Sequence, residues 1–258
     1  MKIIKIEDDP FYELGYRSSG AQGGTQKCVL SFYQVRVQGL PKGIDSFIAA
    51  SDLQGREDGE KNRLLGEVVA EELKILEELE EIPSIDLILL AGDFYDYPDC
   101  RKMGGTGDVT AVWNAFAGHF QHVVGVLGNH DMVAAERLKP NVTILDGTAT
   151  TAFGLKIGGV SGIIGRPDRN QRKSEADYLQ ALKAVMSNHI VLLHQGPDYP
   201  DNGEIGEPGI RKFLERAGAG LTLFGHCFWK RPLATIGKNQ VLNVDGRVFL
   251  FMRENNGV

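Results

Sequence analysis

A layered α/β domain is the fold class this sequence predicts, and two observations predict it. Short apolar runs, each closed by a polar cluster, recur along the chain: "IDSFIAA" before "SDLQG", "IDLILLA" before "GDFYD", "HVVGVL" before "GNHD", "HIVLL" before "HQGP" and "LTLF" before "GHCF". Continuous apolar runs of this length suit strands buried on both faces. Stretches with helical periodicity lie between them, and strands alternating with helices imply an α/β layered domain.

Taken in order, the first 43 residues include the strand-like "KCVLSFYQVRV" and read as a β-rich extension, an added hairpin ahead of a core spanning 44–258. The whole chain, 1–258, is read as one domain, since no repeat, low-complexity tract or linker divides it. Leu65, Val69, Leu73 and Leu76 recur every three or four residues in "NRLLGEVVAEELKILEELEEI", with glutamates on the opposite face, which predicts an amphipathic helix. Val109, Val112, Trp113 and Phe116 repeat the pattern after Asp108, the expected N-cap. Ser174 is the expected cap of "SEADYLQALKAVM", whose stripe is Tyr178, Leu182 and Val185 or Met186.

Composition bounds the function. The 258 residues are 42% apolar and 24% charged, with a net charge of −6, so no general attraction for nucleic acid is expected; the one basic stretch, "GRPDRNQRK", reads as a solvated loop. Three cysteines, Cys28, Cys100 and Cys227, are odd in number and lack a pairing rhythm, which argues for a reducing compartment. The start "MKIIKIEDDP" is too short an apolar run for a signal peptide, and no stretch approaches the roughly 20 apolar residues of a membrane span. A cytoplasmic protein, with no membrane contact, is the expectation.

In layered sheets, ligands gather beyond the carboxyl ends of the strands. Each polar cluster sits there, and Asp52, Asp93, Asn129, His194 and His226 stand on five successive strand ends, with His130 directly after Asn129. One such cluster is ordinary turn chemistry. Five in series ask for a metal.

Here the sequence resembles the calcineurin-like metallophosphoesterase superfamily, whose motifs run D-x-H, GD-x-x-D, GNH(D/E), a lone H and GH-x-H. The resemblance implies a four-layer α/β/β/α sandwich with a metal centre at the strand ends. Carried onto this chain, Asp93 bridges two metals, and Asn129, His194 and His226 complete one site. Two imidazoles, an amide oxygen and a carboxylate suit Mn²⁺ first, with Fe²⁺, Zn²⁺ or Mg²⁺ as alternatives. His130 is the expected catalytic histidine, with Asp96 orienting it through a ring nitrogen.

The chain departs from the family at the other metal position. Gln54 stands where D-x-H has histidine, and Phe228 where GH-x-H has its second one. The remaining set, Asp52, Gln54 and Asp93, offers only oxygen, so a weak or empty second site is expected. Cys227, beside the missing histidine, occupies the position expected to point away. A different alignment would start the series at Asp8 in "KIIKIEDDP", but it leaves "IDSFIAASDLQG" unexplained.

The activity this implies is hydrolysis of a small phosphoester by a metal-bound hydroxide, with His130 as general acid. Candidate substrates are phosphodiesters, nucleotides and small phosphomonoesters; the phosphoprotein phosphatases carry an arginine and a glutamate where this chain has Tyr97 and Asp131. The alternatives are a scaffold or binding protein on the same fold, and a Mn²⁺-dependent nuclease. The loops "CRKMGGTGDV" and "GIIGRPDRNQRK" are placed near the cleft, with Arg166 or Arg169 as candidate phosphate contacts.

Overall fold

The computed structural model describes residues 1–20, 22–218 and 220–254. In chain order its strands are β1 (Lys2–Ile6), β2 (Tyr12–Ser19), β3 (Thr25–Gln38), β4 (Ser46–Ser51), β5 (Leu87–Leu90), β6 (Gly107–Asp108), β7 (His122–Gly125), β8 (Asp131–Met132) and β9 (Val142–Ile144). There follow β10 (Thr148–Ala152), β11 (Leu155–Val160), β12 (Ile163–Ile164), β13 (Arg172–Lys173), β14 (Ile190–Gln195), β15 (Leu221–Gly225), β16 (Leu233–Ile236), β17 (Asn239–Asn243) and β18 (Arg247–Arg253). The α-helices are α1 (Leu65–Glu78), α2 (Thr110–His119), α3 (Glu175–Val185) and α4 (Pro208–Leu214).

Two sheets face each other. The first runs β1-β3-β18-β4-β5-β7-β9 with β2 also on β3, and the second runs β10-β11-β14-β15-β17-β16. The apolar runs are continuous because both faces of each central strand are covered. In β4, Phe47 and Ala49 face the second sheet, where they join Ile157, Leu192 and Leu223. Ile48 and Ala50 face the other way, against Leu65, Val69 and Leu73 of α1 and Trp113 of α2. On the far side, Val191, Leu193 and Phe224 pack against Tyr178 and Leu182 of α3 and Ile210 of α4. Four layers, α/β/β/α, result.

The helix signals resolve individually. All four stripe residues of α1 are buried, and Glu67 reaches back to accept the N–H of Leu64 at 3.0 Å. Ser174 caps α3, accepting the N–H of Asp177. For α2 the cap falls one residue later than expected, at Val109; Asp108 still helps the helix start by accepting the N–H of Thr110 at 2.8 Å. No helix among the described residues is long and apolar enough to cross a membrane.

The first 43 residues differ from their expected role as an addition. β18 lies between β3 and β4, parallel to the first and antiparallel to the second, so the chain's last strand is paired on one side by the extension. Leu30, Phe32, Val35 and Val37 of β3 are essentially fully buried. At roughly 1.5–3 kcal/mol per buried side chain, these four contribute about 6–12 kcal/mol, as much as the net stability of a whole domain. A chain beginning at residue 44 is therefore expected to show no cooperative thermal transition by circular dichroism, while the intact chain shows one.

Candidate metal centre

Because β4, β5 and β7 run parallel, as do β14, β15 and β17, their carboxyl ends fall on one edge of the sandwich. At three of these ends the chain turns through a left-handed residue that is not glycine: Asp52 (φ 54°), Asp93 (φ 58°) and His226 (φ 72°). Such residues cost of order 1–3 kcal/mol each and persist where the surroundings hold them. Carboxylates hold two of them, Asp93 and His226, and the Asp52 N–H donates to the Gly92 carbonyl at 2.8 Å. Asp131 accepts the N–H groups of Asp93 (2.8 Å), Phe94 (2.8 Å) and Gly128 (2.9 Å), tying the "GDFYD" and "GNHD" loops into one unit. Asp52 accepts the N–H of His226 at 2.9 Å and the hydroxyl of Ser51. The loops lie so close that a side chain on Gly128 would meet the Asp93 carboxylate at 1.9 Å.

Within this frame Asp93, His194 and His226 offer ligand atoms that all lie within 4.8 Å of one another. Atoms about 2.0–2.3 Å from a shared cation are separated by roughly 3–4.5 Å, so the three fit one ion. His194 is fully buried, its Nδ1 2.8 Å from the Ala91 carbonyl. Nδ1–H donating to that carbonyl turns Nε2 inward, 3.2 Å from Asn129 Oδ1 and 3.3 Å from Asp93 Oδ2. A ring nitrogen facing two oxygens calls for a positive charge between them, either a proton or a cation. Burial alone would lower the His194 pKa, but Asp93 and then Asp52 reverse this and carry it to about 10. Burial likewise opposes ionisation of Asp93, and the neighbouring His194 and His130 overcome it and hold its pKa below the usual range. His226 is pushed the other way, to about 4, by burial and then by His194, which leaves its imidazole neutral and free to ligate.

His130 stands beside this group. Its backbone N–H donates to Asp93 Oδ1 at 2.8 Å, and its Nε2 lies 3.9 Å from Asp93 Oδ2. The partner expected for its ring is corrected: Nδ1 is 2.8 Å from the Gly105 carbonyl, in the "CRKMGGTGDV" loop. Asp96 is buried and spent elsewhere, accepting the Ser19 hydroxyl at 2.9 Å and the Tyr97 N–H at 2.7 Å. The cause is the N-terminal hairpin, which brings Ser18 and Ser19 onto that loop. Gln54 lies with Asp96 around a small pocket of about 30 Å³ formed with the same hairpin. Phe228 is 54% exposed, its ring 4.0 Å from the Arg247 guanidinium. The Cys227 thiol is pushed up to about 11 by burial and by Asp245 and Asp52, which disfavours a thiolate ligand. All three cysteines are free.

Four residues take on roles that the motif series does not assign. Asp131 is the clamp described above. Asp245 follows β17; its backbone bridges Ser51, and after burial it is the strongest influence raising the Asp52 carboxyl. Arg172 is a cation acting on His226, and its Nε has no hydrogen-bond partner among the described residues. Asn170 donates to the carbonyls of Asn129 and Asp131. These last two lie in the "GIIGRPDRNQRK" segment, whereas Arg166 is paired with Asp168 in solvent and Arg169 is exposed. An asparagine or an arginine in a polar loop carries no periodic signal, so only the fold reveals which ones reach the "GNHD" loop or His226.

A four-layer sandwich converging on a carboxylate–imidazole cluster defines a metal-binding class of α/β protein. Residues 46–227 match the family model described as calcineurin-like phosphoesterase, and the chain belongs to that family of metal-dependent phosphoester hydrolases. Among solved structures it is similar to TT1561 of Thermus thermophilus, at 19% identity and a TM-score of 0.56, covering 78% of this chain and 88% of that one. Purple acid phosphatase PPD1 from yellow lupin seeds also matches, at 13% identity and a TM-score of 0.42, over 95% of this chain and 52% of that one. No curated protein sequence matches the chain.

Asp131→Asn tests the clamp. An amide offers one acceptor oxygen and turns an N–H₂ toward backbone donors, so a loss of roughly 2–4 kcal/mol is expected in urea unfolding. The metal content of the purified variant is expected to fall with it.

Proposed function

We propose that the chain hydrolyses small phosphoesters, phosphodiesters or nucleotides before phosphoproteins, using one well-formed divalent-cation site. The observation that carries this reading is the placement of the half-buried His130 Nε2 beside the Asp93–His194–His226 group, where a proton donor and a cation site address the same substrate oxygen region. Asp93, Asn129, His194 and His226 would hold the ion, with Mn²⁺ the best match to their mixed oxygen and nitrogen donors. A divalent cation bound there supplies Lewis-acid polarisation of the phosphoryl group and lowers the pKa of a coordinated water.

The chain's own residues do the rest. The Gly105 carbonyl fixes the His130 ring through Nδ1 and leaves Nε2 to deliver a proton to the departing alkoxide oxygen. Arg172 adds positive charge on the His226 side for the phosphoryl oxygens. A second ion has poorer support: Asp52 and Asp245 supply carboxylates, while Gln54 lies toward the hairpin pocket and Phe228 cannot ligate. We place the protein in the cytoplasm on its cysteine usage.

Hydrolysis of bis-p-nitrophenyl phosphate in Mn²⁺, with elemental analysis of the protein, tests the reading. His130→Ala is expected to lower kcat by about 10²–10⁴-fold and keep the metal. Asp93→Ala should lose both metal and activity, and Arg172→Ala should raise KM about 10-fold or more. Metal-free protein, or activity indifferent to His130→Ala and Asp93→Ala, would leave the scaffold reading in its place.

The acid side has a sign of its own. Burial carries the Asp245 carboxyl to about 6, and burial with Asp245 carries Asp52 well above the ordinary range. Ligands bind as their deprotonated forms, so a cation held by Asp93, Asn129, His194 and His226 must displace the proton that His194 carries, and its binding strengthens as pH rises and weakens as pH falls, with protonation of the neighbouring Asp52 and Asp245 acting in the same direction. The rise in melting temperature on adding Mn²⁺ is expected to be large near pH 7.5 and to vanish near about pH 5.

A further inference from the structure

A second cavity, of about 460 Å³, opens between the two sheets beside the candidate metal centre. That volume falls in the range of small-molecule sites. One wall comes from the first sheet, with Ile4 and Ile6 of β1, Tyr33 of β3, and Arg247 and Phe249 of β18. The other is the segment Lys230–Leu233 leading into β16. Four cations line it. Lys5 is paired with Glu7, and Asp8 also faces the cavity, but Lys230, Arg231 and Arg247 have no carboxylate partner within 4.0 Å among the described residues.

Arg247 is the informative one. It is 9% exposed, and only its Nη2 has a hydrogen bond, to the Trp229 carbonyl at 2.8 Å. Nη1 has no partner among the described residues. The Phe228 ring offsets part of the cost of burying this charge, but an exposed cation–π contact contributes only about 0.5–1 kcal/mol, against about 1–3 kcal/mol for an unmade hydrogen bond and more for a charged group. The opposite wall is built in advance. The buried Glu204 carboxylate accepts the backbone N–H groups of Lys230 (3.1 Å) and Arg231 (3.0 Å), and Trp229 Nε1 donates to the Ile205 carbonyl at 2.8 Å. These bonds set the backbone; among the described residues the Lys230 ammonium has no carboxylate partner, and the Arg231 guanidinium makes only one long hydrogen bond, from Nη1 to Asn202 Oδ1 at 3.4 Å, so both can turn to a ligand.

We propose that this cavity binds a small organic anion, a phosphate- or carboxylate-bearing molecule with an apolar or aromatic body. Lys230, Arg231 and Arg247 take the anionic group, and Tyr33, Pro232 and Leu233 take the body. Phe228, two residues beyond His226, lies over Arg247, and Arg247 pairs with Ser51 next to Asp52, so this wall of the cavity adjoins the loops of the metal centre. The anion is therefore either the far end of the substrate or a separate regulator.

Phenylphosphonate is the probe, since its P–C bond resists hydrolysis. Titrated calorimetrically into the full chain with EDTA present, it is expected to bind at one site. Lys230→Ala/Arg231→Ala changes two exposed side chains and is expected to weaken binding about 10-fold or more, at an unchanged melting temperature. Asp93→Asn is expected to leave the affinity intact. No binding in EDTA, or equal affinity in the double variant, overturns the proposal, whatever the fate of the metal reading. Two p-nitrophenyl phosphodiesters, with and without a carboxylate on the second ester arm, separate the sources in Mn²⁺. A lower KM for the carboxylate form that the double variant abolishes identifies the substrate's far end. No such preference, with a phenylphosphonate-dependent kcat lost in the double variant, identifies a regulator.

Discussion

The buried carboxylate of Asp131 is the constraint on which the rest of the centre depends. It accepts three backbone N–H groups from two loops, and those loops carry Asp93, Asn129 and His130. Burial and the nearby Asp93 push its pKa up to about 6, and the bonds from Phe94 and Gly128 resist that rise. At neutral pH the anion prevails because the N–H donors it satisfies have no strand to pair with. Their alternative is an unpaired amide in a buried turn. Left-handed Asp93 is tolerable for the same reason, since its N–H is one of the three.

Around that clamp the charges do not balance without a cation. Asp52, Asp93 and Asp245 lie close enough to raise one another's cost of ionisation, and His194 meets them carrying a proton it would ordinarily have shed. His194 Nε2 faces Asp93 and Asn129, the same side chains that would hold a metal ion. A site that attracts a proton this strongly is preorganised for a harder charge, and exchanging one for the other costs little rearrangement because Ala91 already holds the ring.

The sequence was most legible where one-dimensional periodicity maps directly onto buried faces. The strands ending at Ser51, Leu90, Gln195 and Gly225 were readable because both faces are apolar, and α1 and α3 because a stripe and a cap agree. What escaped depends on pairings far apart in sequence. Nothing in "KCVLSFYQVRV" announces that β18, some two hundred residues later, will lie between it and β4. Once that hairpin joins the sheet, Ser19 claims Asp96, and the expected orienting carboxylate gives way to the Gly105 carbonyl. A motif names residue types at strand ends; which neighbour reaches them first is decided by topology.

The position of Phe228 has the same logic. By the family motif it is a missing ligand, yet its ring has a defined use in the fold, lying over a guanidinium that is buried and incompletely bonded. Asp245 and Arg247, two residues apart, divide the two sides of this segment: the carboxylate acts on Asp52 and the guanidinium lines the neighbouring cavity. An imidazole at 228 would compete for the metal side and leave Arg247 without its aromatic cover. Phe228 thus shields a buried cation at a position where the family motif has a histidine.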